Sequence, residues 1–190
     1  MEFIELAQRR FSLRKYDSRA VDRGVLDRCV EAARLAPSAV NSQPWHFTIA
    51  DDPETVKALG RAASPSGTIN HFAHQAPVIA AVTVEKSSII SRVGSFLKNK
   101  PFYLIDIGIA VEHFCLQAAE NGVGTCIIGW FSEREVRKIL GIPPSRRIAL
   151  LITIGYSGFS ENKAGGKEPA GKNRKPVGEM SSYNRYAKGG

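Results

Sequence analysis

At 190 residues, 43% hydrophobic and 23% charged, the chain has the make-up of one globular domain and is long enough to bury a real core. Its net charge of +8 permits an anionic ligand or a nucleic acid but identifies neither, because charge argues for partners rather than for a fold. Cys29, Cys115 and Cys126 are the three cysteines and show no CxxC spacing, which argues against a disulfide framework or a zinc cluster and fits a reducing, cytoplasmic setting.

The first residues, Met1-Glu2-Phe3-Ile4-Glu5, lack the basic start and long apolar stretch of a signal peptide. No run of about 18 apolar residues occurs, so no membrane span is expected. Phe3, Ile4, Leu6 and Ala7 predict a short helix that runs into the basic stretch Arg9-Arg10-Phe11-Ser12-Leu13-Arg14-Lys15-Tyr16. Val25, Leu26, Cys29, Val30 and Ala33 form one stripe of a second helix over 22–35. Then comes Ala36-Pro37-Ser38-Ala39-Val40-Asn41-Ser42-Gln43-Pro44-Trp45-His46-Phe47, a stiff turn because each proline disfavours helix at the residue before it. A strand over 45–50 follows, and Asp52 caps a helix that carries Pro53 in its first position.

Residues 60–76 are rich in Gly, Ser and Asn and read as irregular. The continuous apolar run at 78–84 reads as an interior strand buried on both faces. Residues 85–101 fit a lid or a surface helix equally well. The strongest helix spans 103–121, where apolar residues nearly encircle the axis and only Asp106, Glu112, His113, Gln117 and Glu120 interrupt them. Such a helix must be buried on most sides, at the centre of the domain or against a second subunit. A short strand is expected at 125–129. The capping box Ser132-Glu133-Arg134-Glu135 then opens a helix that Gly141 and Pro143-Pro144 stop. Residues 148–154 form the last strand, 157–176 a Gly/Lys tail without periodicity, and 180–186 a small closing element. Interleaved helices and strands in one domain make the fold α/β or α+β.

Chemistry has three candidate seats. Arg10, Ser12 and Arg14 are spaced by two, so an extended backbone would project all three from one side. Two guanidinium forks flanking a hydroxyl suit a phosphate. Lys172 and Arg174, with Lys175 beside them, repeat the device in the tail. Each comb alone also reads as a solvated basic surface; together they could gather one phosphomonoester. In the turn, Asn41 and Gln43 are the long polar groups, and an amide supplies donor and acceptor to the edge of a heterocycle. The same residue types also make an ordinary helix-to-strand loop. Gly129 could offer its amide to a planar ligand, or be a plain strand-end glycine.

The histidines point elsewhere. His46 and His113 read as structural, and the His71/His74 pair lacks a carboxylate or cysteine to complete a metal site. Cys126 has no adjacent base that would make it a nucleophile. No Ser/His/Asp triad, GxSxG elbow, Walker loop or GxGxxG fingerprint occurs. An enzyme of this sequence would therefore leave the chemistry to a cofactor.

Four stretches together resemble the nitroreductase family of FMN-dependent NAD(P)H oxidoreductases, in the family's order and across nearly the whole chain. They are the basic run 9–16, the proline-bracketed turn 36–47, Gly122-Val123-Gly124-Thr125-Cys126-Ile127-Ile128-Gly129, and Lys172-Asn173-Arg174-Lys175-Pro176. The resemblance implies an α+β, three-layer fold: a mostly antiparallel sheet of four or five strands flanked by helices, in an intertwined homodimer with FMN at the interface. It divides the chain into an FMN-binding domain over 1–160 and a tail, 161–190, that completes the phosphate site.

Carried onto this sequence, Arg10, Phe11, Ser12 and Arg14 would hold the FMN phosphate, the ribityl end or the pyrimidine edge. Asn41, with Gln43 beside it, would meet the isoalloxazine, and Pro37, Ser38 and Ala39 would line it from the partner subunit. Ile128 and Gly129 would lie beside flavin N5, and Lys172 and Arg174 would close over the phosphate. The implied reaction is ping-pong: hydride passes from NADPH or NADH to flavin N5 and then to a small electron-poor acceptor such as a nitroaromatic or quinone. No side chain is assigned as a catalytic acid or base. Ile128 stands where some members carry a carboxylate, which puts a mechanism needing that acid in doubt. Alternatives are a non-catalytic flavin-binding sensor or store, and a specialised relative such as a reductive dehalogenase. A nucleic-acid binder built on the basic tail is disfavoured, because no aromatics interleave its lysines.

Overall fold

Four strands make one antiparallel sheet in the order β1-β2-β4-β3, with β1 at Trp45–Ala50, β2 at Val78–Val84, β3 at Gly124–Ile128 and β4 at Ile148–Gly155. The computed structural model describes residues 2–85, 100–158 and 174–186. β2 holds an interior place, and its first six residues are buried, as its unbroken apolar run requires. The registers pair Trp45 with Val84, Thr83 with Ile148 and Ile128 with Leu151. The start of β1, the end of β2, the start of β4 and the end of β3 therefore share one end of the sheet.

Helices cover both faces, giving three layers. On one face Ile79, Ala81, Cys126, Ile128 and Leu151 pack with Val56, Leu59, Ala62 and Ala63 of α3 (Pro53–Ala63) and Val136 of α5 (Glu133–Leu140). On the other, Val78, Ala80, Val82, Ile152 and Ile154 pack with α2 (Arg23–Arg34) and with α4 (Phe102–Glu120). The expected α+β sandwich of helices about an antiparallel sheet is the observed one. The chain divides into two compact units, Met1–Phe159 and Ser160–Gly190. In the second, the described residues include one short helix, α6 (Val177–Met180), with no buried residue.

Local chemistry sets most boundaries. Asp22 accepts a hydrogen bond from the Gly24 amide at 2.8 Å to start α2, and Asp52 accepts one from Thr55 at 3.0 Å to start α3, with Pro53 in the first turn. Ser132 Oγ accepts from the Glu135 amide, and α5 ends at Gly141, whose φ of +65° suits glycine.

One expectation changes. Gly60 does not begin an irregular stretch: α3 continues through it to Ala63, and a 3-10 turn at His71–Gln75 follows. A Cβ on Gly60 would lie 3.2 Å from the His74 Cα, so this glycine serves the close approach of that turn. α4 is long and apolar enough, by length and composition, to cross a membrane. Here it is a core helix that buries Ile107, Ala110, Val111 and Phe114 against the sheet and α2, while Leu104 and Ile105 stay 39% and 54% exposed. The lid-or-helix reading of 85–101 and the tail reading of 157–176 fall mainly outside the described residues, on 86–99 and 159–173.

Candidate functional site

The basic stretch leaves α1 (Phe3–Arg9) in extended form along the free edge of β3. Ser12 bridges Thr125 in parallel, and the Leu13 amide donates to the Thr125 carbonyl at 2.9 Å. Further on, Tyr16 bridges Ser157 and the Asp17 amide donates to the Tyr156 carbonyl at 3.1 Å. Apolar packing fixes the parity of the stretch. Leu13 is fully buried and sits where a side chain at Gly124 would have to go: a Cβ there would be 2.9 Å from the Leu13 Cβ. The Tyr16 hydroxyl donates to or shares protons with the Leu13 carbonyl and Thr153 Oγ1, both at 2.8 Å, and burial pushes its pKa well above the ordinary phenol value.

With Leu13 turned in, Ser12 and Arg14 are exposed and Arg10 is half-buried. The buried Cys126 thiol on β3 feels the charge of both arginines. Burial raises the thiol pKa, against which Arg14, the Ser12 and Arg14 hydrogen bonds and the Arg10 charge pull it down. The Ser12 bridge to Thr125 gives the stretch the extended form that a comb requires. Arg14 also lies over the Phe72 ring, 5.9 Å from its centroid. Arg10 Nε meets Glu112 Oε1 at 3.1 Å, a partner that the sequence did not announce. Phe11 is partly buried and packs against the core on the α3 side.

The proline-bracketed turn is built differently. Its middle is a 3-10 turn, Ala39–Asn41, and Val40, Asn41 and Gln43 have φ of 49°, 53° and 43°. Such left-handed backbone at a β-branched residue is strained and persists only where the surroundings impose it. They do so with hydrogen bonds. The Gln43 amide donates to Ser38 Oγ at 2.9 Å, the Gln43 side-chain amide to Asn41 Oδ1 at 3.0 Å, and the Ala39 amide to Asp106 Oδ1 of α4 at 3.2 Å. Pro37, Val40, Asn41 and Gln43 are exposed; Ser38 and Ala39 are half-buried.

At the end of β3 the Ile128 side chain is buried in the core on the α3 side, so only its backbone could meet a ligand. Gly129 is exposed, and nothing lies within 4 Å of where its Cβ would stand. In one chain the comb and the turn do not meet by topology. The comb lies on the β3 edge and the turn enters β1 on the opposite edge, with β4 and β2 between them, a separation of about 14 Å at the usual strand spacing. Lys172 lies outside the described residues. Arg174 is exposed in the second unit.

Two of the histidines have structural surroundings. His113 Nδ1 lies 3.2 Å from the Ala32 carbonyl, a satisfied packing contact. His46 lines a cleft of about 340 Å³ over β1 and β2, with Thr83, Glu85 and Arg146. Among the described residues no group of His, Cys, Asp and Glu could hold a metal ion. The residue that sequence reasoning passed over is Asp106. Its one signal was a charge in the middle of an apolar helix, where burial demands a partner.

The family model described as Nitroreductase family matches residues 7–70 and 63–156. An Archaeoglobus fulgidus protein whose name carries NADH dehydrogenase and NAD(P)H nitroreductase is 28% identical over 161 residues, covering 82% of this chain and 85% of that protein. The iodotyrosine deiodinase of Thermotoga neapolitana is 25% identical over 173 residues, 80% of this chain and 87% of its own. Among solved structures, an FMN-dependent nitroreductase of Clostridium difficile R20291 superposes with a TM-score of 0.76 at 24% identity, covering 97% of this chain and all of that one.

Proposed function

The chain belongs to the nitroreductase family of oxidoreductases, and from that premise we propose an FMN-dependent enzyme that uses NADPH or NADH to reduce small electron-poor acceptors, nitroaromatics or quinones among them. The observation that carries this reading is the extended course of the Arg10–Arg14 stretch beside β3, whose end leads into Gly129 with open space around it. That donor set fits a phosphorylated planar heterocycle: cationic forks for the phosphate, a hydroxyl and amides for its polar edge, and a backbone approach without a side chain in the way. FMN bound there would supply the redox chemistry, accepting hydride from the nicotinamide and passing it to the acceptor from one site used twice.

The chain's own part is to bind and orient. Arg14 and Ser12 would hold the phosphate and ribityl end. Arg10 would join them through further donors of a guanidinium whose Nε meets Glu112. Phe11 would back the stretch from the core side. Gly129 and the Ile128 backbone would face the ring. Pro37, Ser38, Ala39, Asn41 and Gln43 open from the opposite sheet edge, so we infer that they serve the site of a second copy in a homodimer. The exposed apolar Leu104 and Ile105 of α4 support that assembly. Three free, buried cysteines support a reducing, cytoplasmic setting.

The test is the absorption spectrum of the purified protein under argon. Flavin bands that NADPH or NADH bleaches and menadione restores are the expected result. Colourless protein that takes up no added FMN overturns the proposal, and flavin bands that neither nicotinamide bleaches make it a binding module without turnover. The likeness to a deiodinase favours one second reading, reductive removal of iodide from an aromatic ring. Iodide release from iodotyrosine, with no turnover of nitroaromatics or quinones, would select it.

A further inference from the structure

Asp106 is 5% exposed, in the first half of α4 among residues that face the sheet and α2. One carboxylate oxygen, Oδ1, accepts the Ala39 amide at 3.2 Å. The other, Oδ2, is buried with no hydrogen-bond partner. A half-satisfied buried carboxylate costs free energy, and replacing one with an apolar residue of similar size is often neutral or stabilising. Packing therefore does not explain why a charge stands here. The group it holds does. Ala39 opens the 3-10 turn in which Val40, Asn41 and, two residues on, Gln43 have left-handed φ, and such strain lasts only where neighbours impose it.

We propose that Asp106 is a positioning residue for flavin binding: by accepting the Ala39 amide it locks the proline-bracketed turn in the strained form that presents Ser38, Ala39 and Asn41. Buried as it is, the carboxylate acts through the turn. Its seat on α4, beside the exposed Leu104 and Ile105, makes the geometry of the turn a property of the central helix and not of the loop alone. This inference rests on the reading of the turn as a flavin contact, so its test separates the two.

FMN is titrated into the apo form of the full chain by fluorescence quenching, and apo Tm is measured in parallel, for D106L, D106N, A39P, N41A and R14A. D106L is expected to keep or raise apo Tm while FMN Kd rises at least tenfold. D106N, which keeps an acceptor at Oδ1, is expected within threefold of the parent. A39P removes the amide that Asp106 accepts and is expected to weaken FMN as D106L does, which keeps the test decisive should D106L not fold. A merely structural Asp106 would move Tm and Kd together. Parent-like FMN binding by D106L and A39P, with N41A and R14A weakened, overturns the positioning role alone. Parent-like binding by N41A and R14A as well overturns the flavin reading of the site.

Discussion

The basic stretch on β3 and the turn before β1 are held by opposite means. Residues 10–16 are fixed by packing: Leu13 is buried over Gly124, Tyr16 is buried beneath, and the tyrosine hydroxyl is tied to Leu13 and Thr153. Residues 36–44 are fixed by hydrogen bonds that Ser38 Oγ and Asp106 accept, against a backbone in the left-handed region at three non-glycine residues. Charged side chains can be aimed by the apolar neighbours one residue away, because an extended chain alternates its faces. In the turn only the end residues, Ala36 and Pro44, are buried, so the segment between them is held by polar contacts.

Breaking the packed region should cost most. Arg14→Ala removes a charge-assisted contact worth about 1.5–3 kcal/mol, so FMN Kd should rise roughly 10- to 100-fold. Tm should stay near the parent's because Arg14 is exposed. A parent-like Kd would take Arg14 out of the site.

Gly124→Val overpacks the contact with Leu13 at a cost of about 1–3 kcal/mol. Calorimetry should then show Tm lowered by several degrees, at about 2–4 °C per kcal/mol for a chain of this size. FMN should weaken too, although the substitution lies behind the comb; unchanged FMN affinity would mean that Leu13 does not aim Arg14.

Tyr16→Phe leaves the buried Leu13 carbonyl and Thr153 hydroxyl short of a partner, for about 1–2 kcal/mol. A denaturant midpoint equal to the parent's would contradict that. Asn41→Ala, on the hydrogen-bonded side, should raise FMN Kd only several-fold, for a neutral contact of about 0.5–1.5 kcal/mol, and leave Tm alone.

A further effect is alkaline. Burial pushes the Cys29 and Cys115 thiols from 9.0 up to about 12 and about 11. The unfolded chain therefore loses these protons first, and the stability they contribute is whole below pH 9.0 and drains away as pH rises towards 11 and 12. Tm should fall over that window, and Cys115→Ala should flatten part of the slope. An unchanged slope in that variant would place the effect elsewhere.

Much of this architecture is legible residue by residue. Asp22, Asp52 with Pro53, Ser132 and Gly141 mark helix ends through contacts that span a few residues. The unbroken apolar run of β2 announces an interior strand. The two-residue spacing of Arg10, Ser12 and Arg14 states that they share a side if the chain is extended, and three of the four stretches lie within the residues that the family model matches. Gly60 misleads because its reason, the backbone at His74, is fourteen residues away. Asp106 reads as an interruption because its partner, the Ala39 amide, is sixty-seven residues away.

The sequence by itself determined the elements, their caps, the comb and the kinship, since each depends on neighbours along the chain or on a pattern that survives without contacts. Tertiary structure decided that the basic stretch runs along β3, that Arg10 meets Glu112, and that the strained turn hangs from a buried carboxylate. It also put the comb and the turn on opposite edges of the sheet, because strand order is set by which strands pair and not by their order in the chain.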